Sequence, residues 1–206
     1  TSGSMVIVGM DAFFRGCDGL SKFDRCIYDT EQHFGSLPAE RWKGLEDDSV
    51  VLNALGLSGK EDLKGAFIEH FDLDFLRFKI PPNEDDRLIP QQLLLLKVAD
   101  RALTDARIEV GSNVAVLVGM GIELDVHQFR GRVNLQTQFP EAWENSTSGL
   151  AESSREELEG IVKDSIHESA QLNQYTSLIG NIMAARVSSL WDFSGPAFTL
   201  SAEENS

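Results

Sequence analysis

Two short apolar runs that end near glycine predict buried strands. Residues 5–10 read MVIVGM and residues 113–119 read NVAVLVG, so both runs have apolar side chains at most successive positions. A strand covered on both faces needs this composition, as in a parallel sheet, whereas a half-exposed strand alternates apolar and polar residues. We therefore expect each run to form a strand of a parallel sheet.

Apolar residues at helical spacing predict two helices between these strands. In residues 19–28, Leu20, Phe23 and Ile27 fall on one face. Residues 90–107 follow an acidic pair, whose charge suits the partial positive end of a helix. The apolar stripe of this second helix consists of Leu95, Val98, Ala99, Ala102 and Ala106.

The second half of the chain predicts a surface excursion followed by a buried helix and strand. Residues 141–173 are polar, and the capping-box pattern SREE at 154–157 predicts the start of a helix. Residues 177–190 are small and apolar at helical spacing, and Gly195-Pro196 separates them from the strand-like residues 197–200. Alternating strands and helices favour an α/β layered fold.

Charge excludes two classes of ligand. The 206 residues include 33 acidic and 18 basic side chains, which give a formal charge of -15. That charge repels phosphate backbones and anionic lipid head groups, so we expect neither nucleic acid nor a membrane surface as a partner. No apolar run reaches the roughly 18 to 20 residues of a membrane helix, and no secretory leader is evident. Residues 1–4 resemble a cloning remnant.

The cysteines and histidines give no sequence signal for a metal. Cys17 and Cys26 are too few for a disulfide framework and, with no zinc spacing, fit a reducing cytoplasm. We expect both to be structural, with no metal and no cofactor. The four histidines lie in different segments, and none shares a helical turn with a cysteine. They are His33, His70, His127 and His167.

Other motifs for chemistry are incomplete. Gly119-Met120-Gly121 follows a predicted strand but lacks the third glycine of a dinucleotide-binding fingerprint. The acidic stretches at 72–74 and 83–86 do not match a calcium loop, and solvated turns or helix caps explain them better. No Gly-x-Ser-x-Gly elbow nominates a nucleophilic serine.

Several segments in a fixed order resemble the amino-terminal half of β-ketoacyl synthases. The resemblance runs over nearly the whole chain, so residues 5–206 are identified as part of one such domain. The segments are IVGM at 7–10, LPAERW at 37–42, IPQQLLL at 89–95, ALTDA at 102–106, GNIMAARVSSL at 180–190, DF at 192–193 and GPAFTL at 195–200.

The resemblance implies that the chain stops at the turn where the family carries its cysteine nucleophile. In that family a cysteine at a helix amino terminus accepts the acyl group, and two histidines of the other half assist decarboxylation. The family's Thr-Ala-Cys-Ser-Ser corresponds to residues 202–206, AEENS, which places Glu204 at the cysteine position. An acyl-glutamate would be a mixed anhydride, higher in energy than the incoming thioester, so we expect no condensation and no catalytic residue here.

Relatives that lack the cysteine act as chain length factors, each paired with a catalytic ketosynthase. Within this family, the sequence of this chain most resembles the chain-length-factor domain of polyunsaturated fatty acid synthases. Two alternatives remain open. One is a malonyl-carrier-protein decarboxylase with a modified ketosynthase site, and the other is an acidic interaction module that is a monomer. The supporting segments are MDA at 10–12, IPQQLL at 89–94, YTSLIGN at 175–181, RVSS at 186–189 and EENS at 203–206.

The family fold is thiolase-like, with five α/β/α/β/α layers in the complete domain, and its subunits pair through a strand. The resemblance implies that the interface strand is Ala197, Phe198, Thr199 and Leu200. An unpaired apolar edge would also favour association, so we expect a heterodimer with a ketosynthase or self-association. Acyl carrier protein is expected to dock mainly through the partner, because this chain is acidic.

The resemblance also implies candidates for the bottom of the acyl tunnel. Ile122 follows Gly119-Met120-Gly121 at the position of interest, and Leu124 and Phe129 are further candidates. Bulky side chains there would limit the length of the acyl chain, because forcing a chain past them costs about 1 to 3 kcal/mol of overpacking. An ordinary role in the hydrophobic core is the alternative for all three.

Overall fold

The computed structural model describes residues 4–42, 44–80, 89–121, 124–144, 152–166 and 179–201. The chain divides into two compact units, Thr1–Asp74 with Leu96–Ile108 and Phe75–Leu95 with Glu109–Ser206. The helices are α1 (Leu20–Tyr28), α2 (Ala39–Trp42), α3 (Ser49–Ala54), α4 (Pro90–Asp105), α5 (Leu124–Glu144), α6 (Glu152–Ile166) and α7 (Ile182–Leu190). The strands are β1 (Phe13–Phe14), β2 (Cys17–Asp18), β3 (Gly35–Ser36), β4 (Lys64–Gly65), β5 (Val116–Gly119) and β6 (Ala197–Leu200).

The first unit is built from two short antiparallel pairs and the helices beside them. β1 pairs with β2 through a two-residue turn, and β3 pairs with β4. Gly16 adopts a positive φ of 72° in the first turn, a conformation that most side chains disfavour. α1 follows β2 at once and confirms the helix predicted over residues 19–28.

The predicted strand at residues 5–10 is wrong. This run forms no strand pairing among the described residues, and the Met5, Val6 and Ile7 side chains are 77% to 100% exposed. It instead lies against α4, where a Cβ on Gly9 would come within 2.5 Å of the Ala102 carbonyl oxygen. An apolar run becomes a parallel strand only where neighbouring strands accept its hydrogen bonds.

The second unit contains a parallel pair formed by two of the predicted strands. β5 and β6 align with Val116 opposite Ala197 and Gly119 opposite Leu200. α7 packs on one face of this pair, with Val118, Met183 and Ala184 as the buried core. The residues that surround this core are Leu95, Val116, Met120, Ile182 and Ala197.

Gly195 has a different role from the helix breaker that the sequence suggests. α7 ends at Leu190, five residues earlier, with Asp192 at a positive φ of 52°. A Cβ on Gly195 would lie 2.3 Å from the Val114 carbonyl oxygen. Glycine is therefore required here because the two backbones that lead into β5 and β6 approach closely.

α5 and α6 form a helical pair in the second unit. Arg132 on α5 makes an ion pair with Asp164 on α6, and Ile166 lies 3.5 Å from the position of a Cβ on Gly131. α6 starts two residues before the predicted capping box at 154–157 and confirms the predicted helix. Within the described part of the chain, no helix is both long enough and apolar enough to span a bilayer.

Candidate functional site

The carboxyl ends of β5 and β6 lie side by side. The Met120 N–H donates to the Leu200 carbonyl oxygen at 2.8 Å, and the Ser201 hydroxyl donates to the Gly121 carbonyl oxygen at 3.5 Å. Ligands of open α/β sheets bind outside the carboxyl ends of the strands. This edge is therefore the candidate site that the fold offers in the second unit.

Both sequence-predicted segments begin just after residues of this edge in the sequence. Ile122 and Glu204 lie outside the described residues, one and three positions beyond Gly121 and Ser201. Leu124 is the first residue of α5, and its side chain also lies outside the described part. Phe129 is half-buried on α5. The two residues that precede these segments, Gly121 and Ser201, are therefore in contact with each other. The roles predicted for Ile122, Leu124, Phe129 and Glu204 stay predictions.

The second edge of β6 carries the Asn181 side chain. The Thr199 N–H donates to Asn181 Oδ1 at 2.7 Å, and Asn181 Nδ2 donates to the Ala197 carbonyl oxygen at 3.3 Å. The amide thus occupies two backbone groups that point away from β5. A further strand could bond to the Thr199 N–H only after Asn181 moved, because that donor serves one acceptor.

The two faces of the β5–β6 pair differ in burial. Val118 and Ala197 face α7, whereas Leu117, Phe198 and Leu200 are 57%, 42% and 48% exposed. Parallel sheets are normally covered on both faces. The exposed apolar face is therefore suited to contact with another layer or subunit.

A charged centre in the first unit surrounds Lys97, which is buried on α4. Its ammonium group donates to Asp18 Oδ2 at 3.1 Å and to the Asp72 carbonyl oxygen at 3.0 Å, and it lies 4.8 Å from the Phe13 ring centroid. Arg101 also binds Asp18. The hydrogen bond from Arg101 lowers the pKa of the Asp18 carboxyl most, burial opposes it, and Lys97 lowers it further. The buried ammonium group thus has one charged partner and one backbone acceptor, which offset the cost of removing it from water.

The sequence interpretation missed a second cluster in the first unit. Cys17 Sγ and Cys26 Sγ lie 2.7 Å apart, and Cys26 Sγ lies 3.0 Å from His33 Nε2. Glu31 Oε2 completes the group at 3.5 Å from Cys26 Sγ and 3.4 Å from His33 Nε2. The cluster comes from a strand, a helix and a loop, so it has no regular spacing in the sequence.

Of the other histidines, only His70 has a described side chain, and it is exposed. The side chains of His127 and His167 lie outside the described residues. Cys17 is buried, while Cys26 is half-buried. The sequence offered one cue to the cluster, namely that two cysteines, a glutamate and a histidine lie within residues 17–33.

Comparison with known proteins identifies related synthases. The family model described as Beta-ketoacyl synthase, N-terminal domain, matches residues 3–206. A subunit of the polyunsaturated fatty acid synthase of Thraustochytrium sp. is 38% identical over 203 residues, which are 98% of this chain and 9% of that protein. The solved structure of PfaC Keto synthase-Chain length factor is 50% identical with a TM-score of 0.81.

That structure matches 97% of this chain, and the chain covers 21% of it. A ketosynthase from module 6 of the bacillaene synthase of Bacillus subtilis 168 has a TM-score of 0.58 at 19% identity, over 95% of this chain and 26% of that one. This second likeness concerns the fold alone. The similarity in fold confirms the predicted thiolase-like class, of which this chain has the amino-terminal half.

Proposed function

Because the chain belongs to the β-ketoacyl synthase family, we propose that it is the amino-terminal part of a non-catalytic chain-length-factor domain. Such a domain pairs with a catalytic ketosynthase and shapes the acyl tunnel during polyunsaturated fatty acid synthesis. The likeness to PfaC supports this assignment, since the name of that structure contains both a keto synthase and a chain length factor. A catalytic keto synthase needs a cysteine at the nucleophile position, whereas a chain length factor does not. The proposal rests on Glu204, which corresponds to that position in this chain.

Glu204 replaces the thiol that a ketosynthase needs. A cysteine thiolate exchanges one thioester for another of similar energy, which makes acyl transfer reversible and useful. A carboxylate would form a mixed anhydride, so transfer from a thioester would run uphill. If a helix follows in the proposed domain, as in the family, the negative charge of Glu203 and Glu204 near its amino terminus would contribute about 0.3 to 1 kcal/mol.

Two features of β6 support pairing with a ketosynthase. Phe198 and Leu200 form an exposed apolar face with Leu117, and burying such side chains releases about 25 cal/mol per Å² of apolar surface. The outer edge of β6 has its Ala197 and Thr199 backbone groups bonded to a side chain rather than to a strand. A partner strand could therefore displace Asn181 and take over both bonds.

The tunnel role follows from the edge that β5 and β6 share. Gly121 contacts Ser201, and these two residues precede Ile122 and Glu204 by one and three positions in the sequence. We infer that an acyl chain bound at this edge would extend toward Ile122. Ile122 would then set the product length by steric exclusion.

Product profiling in the synthase that contains this domain tests the proposal. Ile122→Ala is expected to add longer products, because removing the branched side chain lengthens the tunnel. The matched control is Ile161→Ala on α6, where the same substitution affects a side chain that is 60% exposed. Loss of the ketosynthase from the complex when Phe198 and Leu200 are replaced by serine would support the pairing role. An unchanged product spectrum together with unchanged pairing would contradict the proposal.

A further inference from the structure

The thiol cluster of the first unit has the composition of a site for a thiophilic cation. Cys17, Cys26 and His33 place two sulfur atoms and one imidazole nitrogen within 4.8 Å of one another. Glu31 adds a carboxylate oxygen at 3.5 Å from Cys26 Sγ. Two thiolates, one imidazole and one carboxylate form a four-ligand set of the kind that binds zinc tetrahedrally.

The backbone fixes this arrangement at two points. The end of α1 has a Schellman pattern, in which the Glu31 N–H donates to the Cys26 carbonyl oxygen at 3.0 Å and the Thr30 N–H donates to Ile27 at 3.3 Å. Thr30 has a positive φ of 54°, which turns the chain back toward the helix. This turn places the Glu31 carboxylate beside the cysteine that precedes it by five residues.

Gly16 makes room for the histidine. A Cβ at this position would lie 2.6 Å from His33 Nδ1 and 2.8 Å from Cε1, and its φ of 72° already disfavours other residues. The imidazole therefore lies directly over the β1–β2 turn, with Nε2 directed at Cys26 Sγ. The three ligands come from β2, α1 and the following loop, so a bound ion would join three separate elements.

The electrostatics of the cluster favour a cation. The Glu31 carboxylate lies beside Cys26 Sγ and His33 Nε2, so a negative charge faces the position that the ion would take. Arg15 lines the same cleft, but its guanidinium binds Glu69 at 2.7 Å and the Gly65 carbonyl oxygen at 3.2 Å.

We propose that Cys17, Cys26, His33 and Glu31 bind one zinc-class divalent cation that fastens the hairpin to α1. Binding breaks two S–H bonds, forms two metal–thiolate bonds and releases two protons to solvent. His33 binds as the neutral imidazole through Nε2. An open cleft of about 370 Å³, lined by all four residues, gives the ion an entry path.

Metal binding requires a small adjustment of the thiols. Zinc–sulfur bonds of about 2.3 Å at tetrahedral angles place two sulfur atoms roughly 3.8 Å apart. The two sulfur atoms are now 2.7 Å apart, so a side-chain rotation must move one of them by about 1 Å. The distances from Glu31 to Cys26 and to His33, 3.5 Å and 3.4 Å, suit ligands of one ion, but the group within mutual reach is Cys17, Cys26 and His33, so the Glu31 carboxylate must move toward Cys17 on binding.

Cobalt substitution tests the site directly. The reduced, chelator-treated protein is titrated with Co²⁺, and the near-ultraviolet thiolate charge-transfer band and the visible bands of tetrahedral cobalt are recorded. We expect one ion per chain, displaced by one equivalent of Zn²⁺. Cys17→Ser and Cys26→Ser each should weaken binding by more than the roughly 10- to 100-fold that loss of an outer-shell partner costs.

Matched controls separate ligand loss from damage to the fold. His33→Ala should abolish the tetrahedral cobalt spectrum, whereas His70→Ala, at an exposed histidine of the same unit, should leave it intact. Glu31→Gln should weaken binding about tenfold, since three ligands remain, and Glu40→Gln should have no effect. Absence of thiolate charge-transfer bands in the reduced protein would overturn the proposal. A cobalt spectrum unchanged by Cys26→Ser would also overturn it, and so would a Cys17–Cys26 disulfide in protein whose reduced form binds no cobalt.

Discussion

The β5–β6 pair and the run at residues 5–10 have similar apolar sequences but very different surroundings. β5 pairs with β6 along four residues and lies against α7, whose Met183 and Ala184 are buried. Met5 and Ile7 are instead 100% and 80% exposed, and their run touches α4 at Gly9 and through the Met10 N–H, which donates to Asp105 Oδ2 at 3.2 Å. The two regions are similar in composition and length, so these properties do not determine whether a strand forms. The neighbouring strands and helices that cover the apolar side chains determine it.

The largest expected difference between these regions is in the free energy of unfolding that is lost when a methionine is replaced by alanine. Met183→Ala removes a side chain that is 4% exposed in the β5–α7 core and should lower the free energy of unfolding by about 2 to 5 kcal/mol. Met5→Ala changes an exposed side chain and should alter it by less than about 0.5 kcal/mol. Urea denaturation measures both, and equal losses would show that residues 5–10 are covered in solution.

The first unit depends on a buried cation where the second depends on an apolar sheet face. Lys97→Met removes the bonds to Asp18 and to the Asp72 carbonyl oxygen. Hydrogen bonds to charged groups each contribute about 1.5 to 3 kcal/mol, and an apolar replacement recovers part of this because the buried ammonium no longer has to be desolvated, so we expect a net loss of roughly 2 to 3 kcal/mol. Lys64→Met, at an exposed position, is the control. A loss no greater than in this control would show that Lys97 is not a stabilising centre.

The outer edge of β6 should respond to Asn181. Asn181→Ala removes the two hydrogen bonds to Ala197 and Thr199 and should cost about 1 to 2 kcal/mol in denaturation. The same variant exposes strand edge groups, so analytical ultracentrifugation should show stronger self-association or tighter ketosynthase binding. Asn134→Ala on the exposed surface of α5 serves as the control. Weaker association in Asn181→Ala would indicate that the amide itself forms part of the interface.

Acid should affect the first unit through Asp18. The folded-state pKa of this carboxyl is lowered from 3.8, so its stabilising contribution is present above that value and is lost as the pH falls through the folded pKa. In the Asp18→Asn variant, the free energy of unfolding should therefore decrease less steeply with falling pH below about 3.8 than in the native protein. The effect should be small, since the group is partly exposed to solvent. Asp24→Asn provides the comparison, and identical acid profiles for the two variants would remove Asp18 from this account.

The elements predicted from sequence share a strong local pattern. α4 begins at Pro90 and carries a long apolar stripe, and β6 has the predicted bounds of Ala197–Leu200. α5 was missed because Gly131 and Pro140 interrupt its pattern and the apolar spacing is weak. Pro140 is tolerated inside this helix although proline removes one backbone donor.

The functional features also divide into those with a local sequence pattern and those without one. The order of motifs around Gly195 and Glu204 could be recognised because it is linear in the sequence. The Cys17–Cys26–His33 cluster could not, because it depends on the turn at Gly16 and on the positive φ of Thr30. Neither conformation follows from residue spacing, and a threonine in that conformation is uncommon.

The rate of carbon dioxide release from malonyl-loaded carrier protein tests the non-catalytic assignment most directly. The complete domain that contains this chain is compared with its Glu204→Ala and Glu204→Gln variants, without a catalytic ketosynthase. A chain length factor predicts background release from the native protein and from Glu204→Ala alike. Rapid release by the native domain that Glu204→Ala abolishes would contradict the account and identify a decarboxylase.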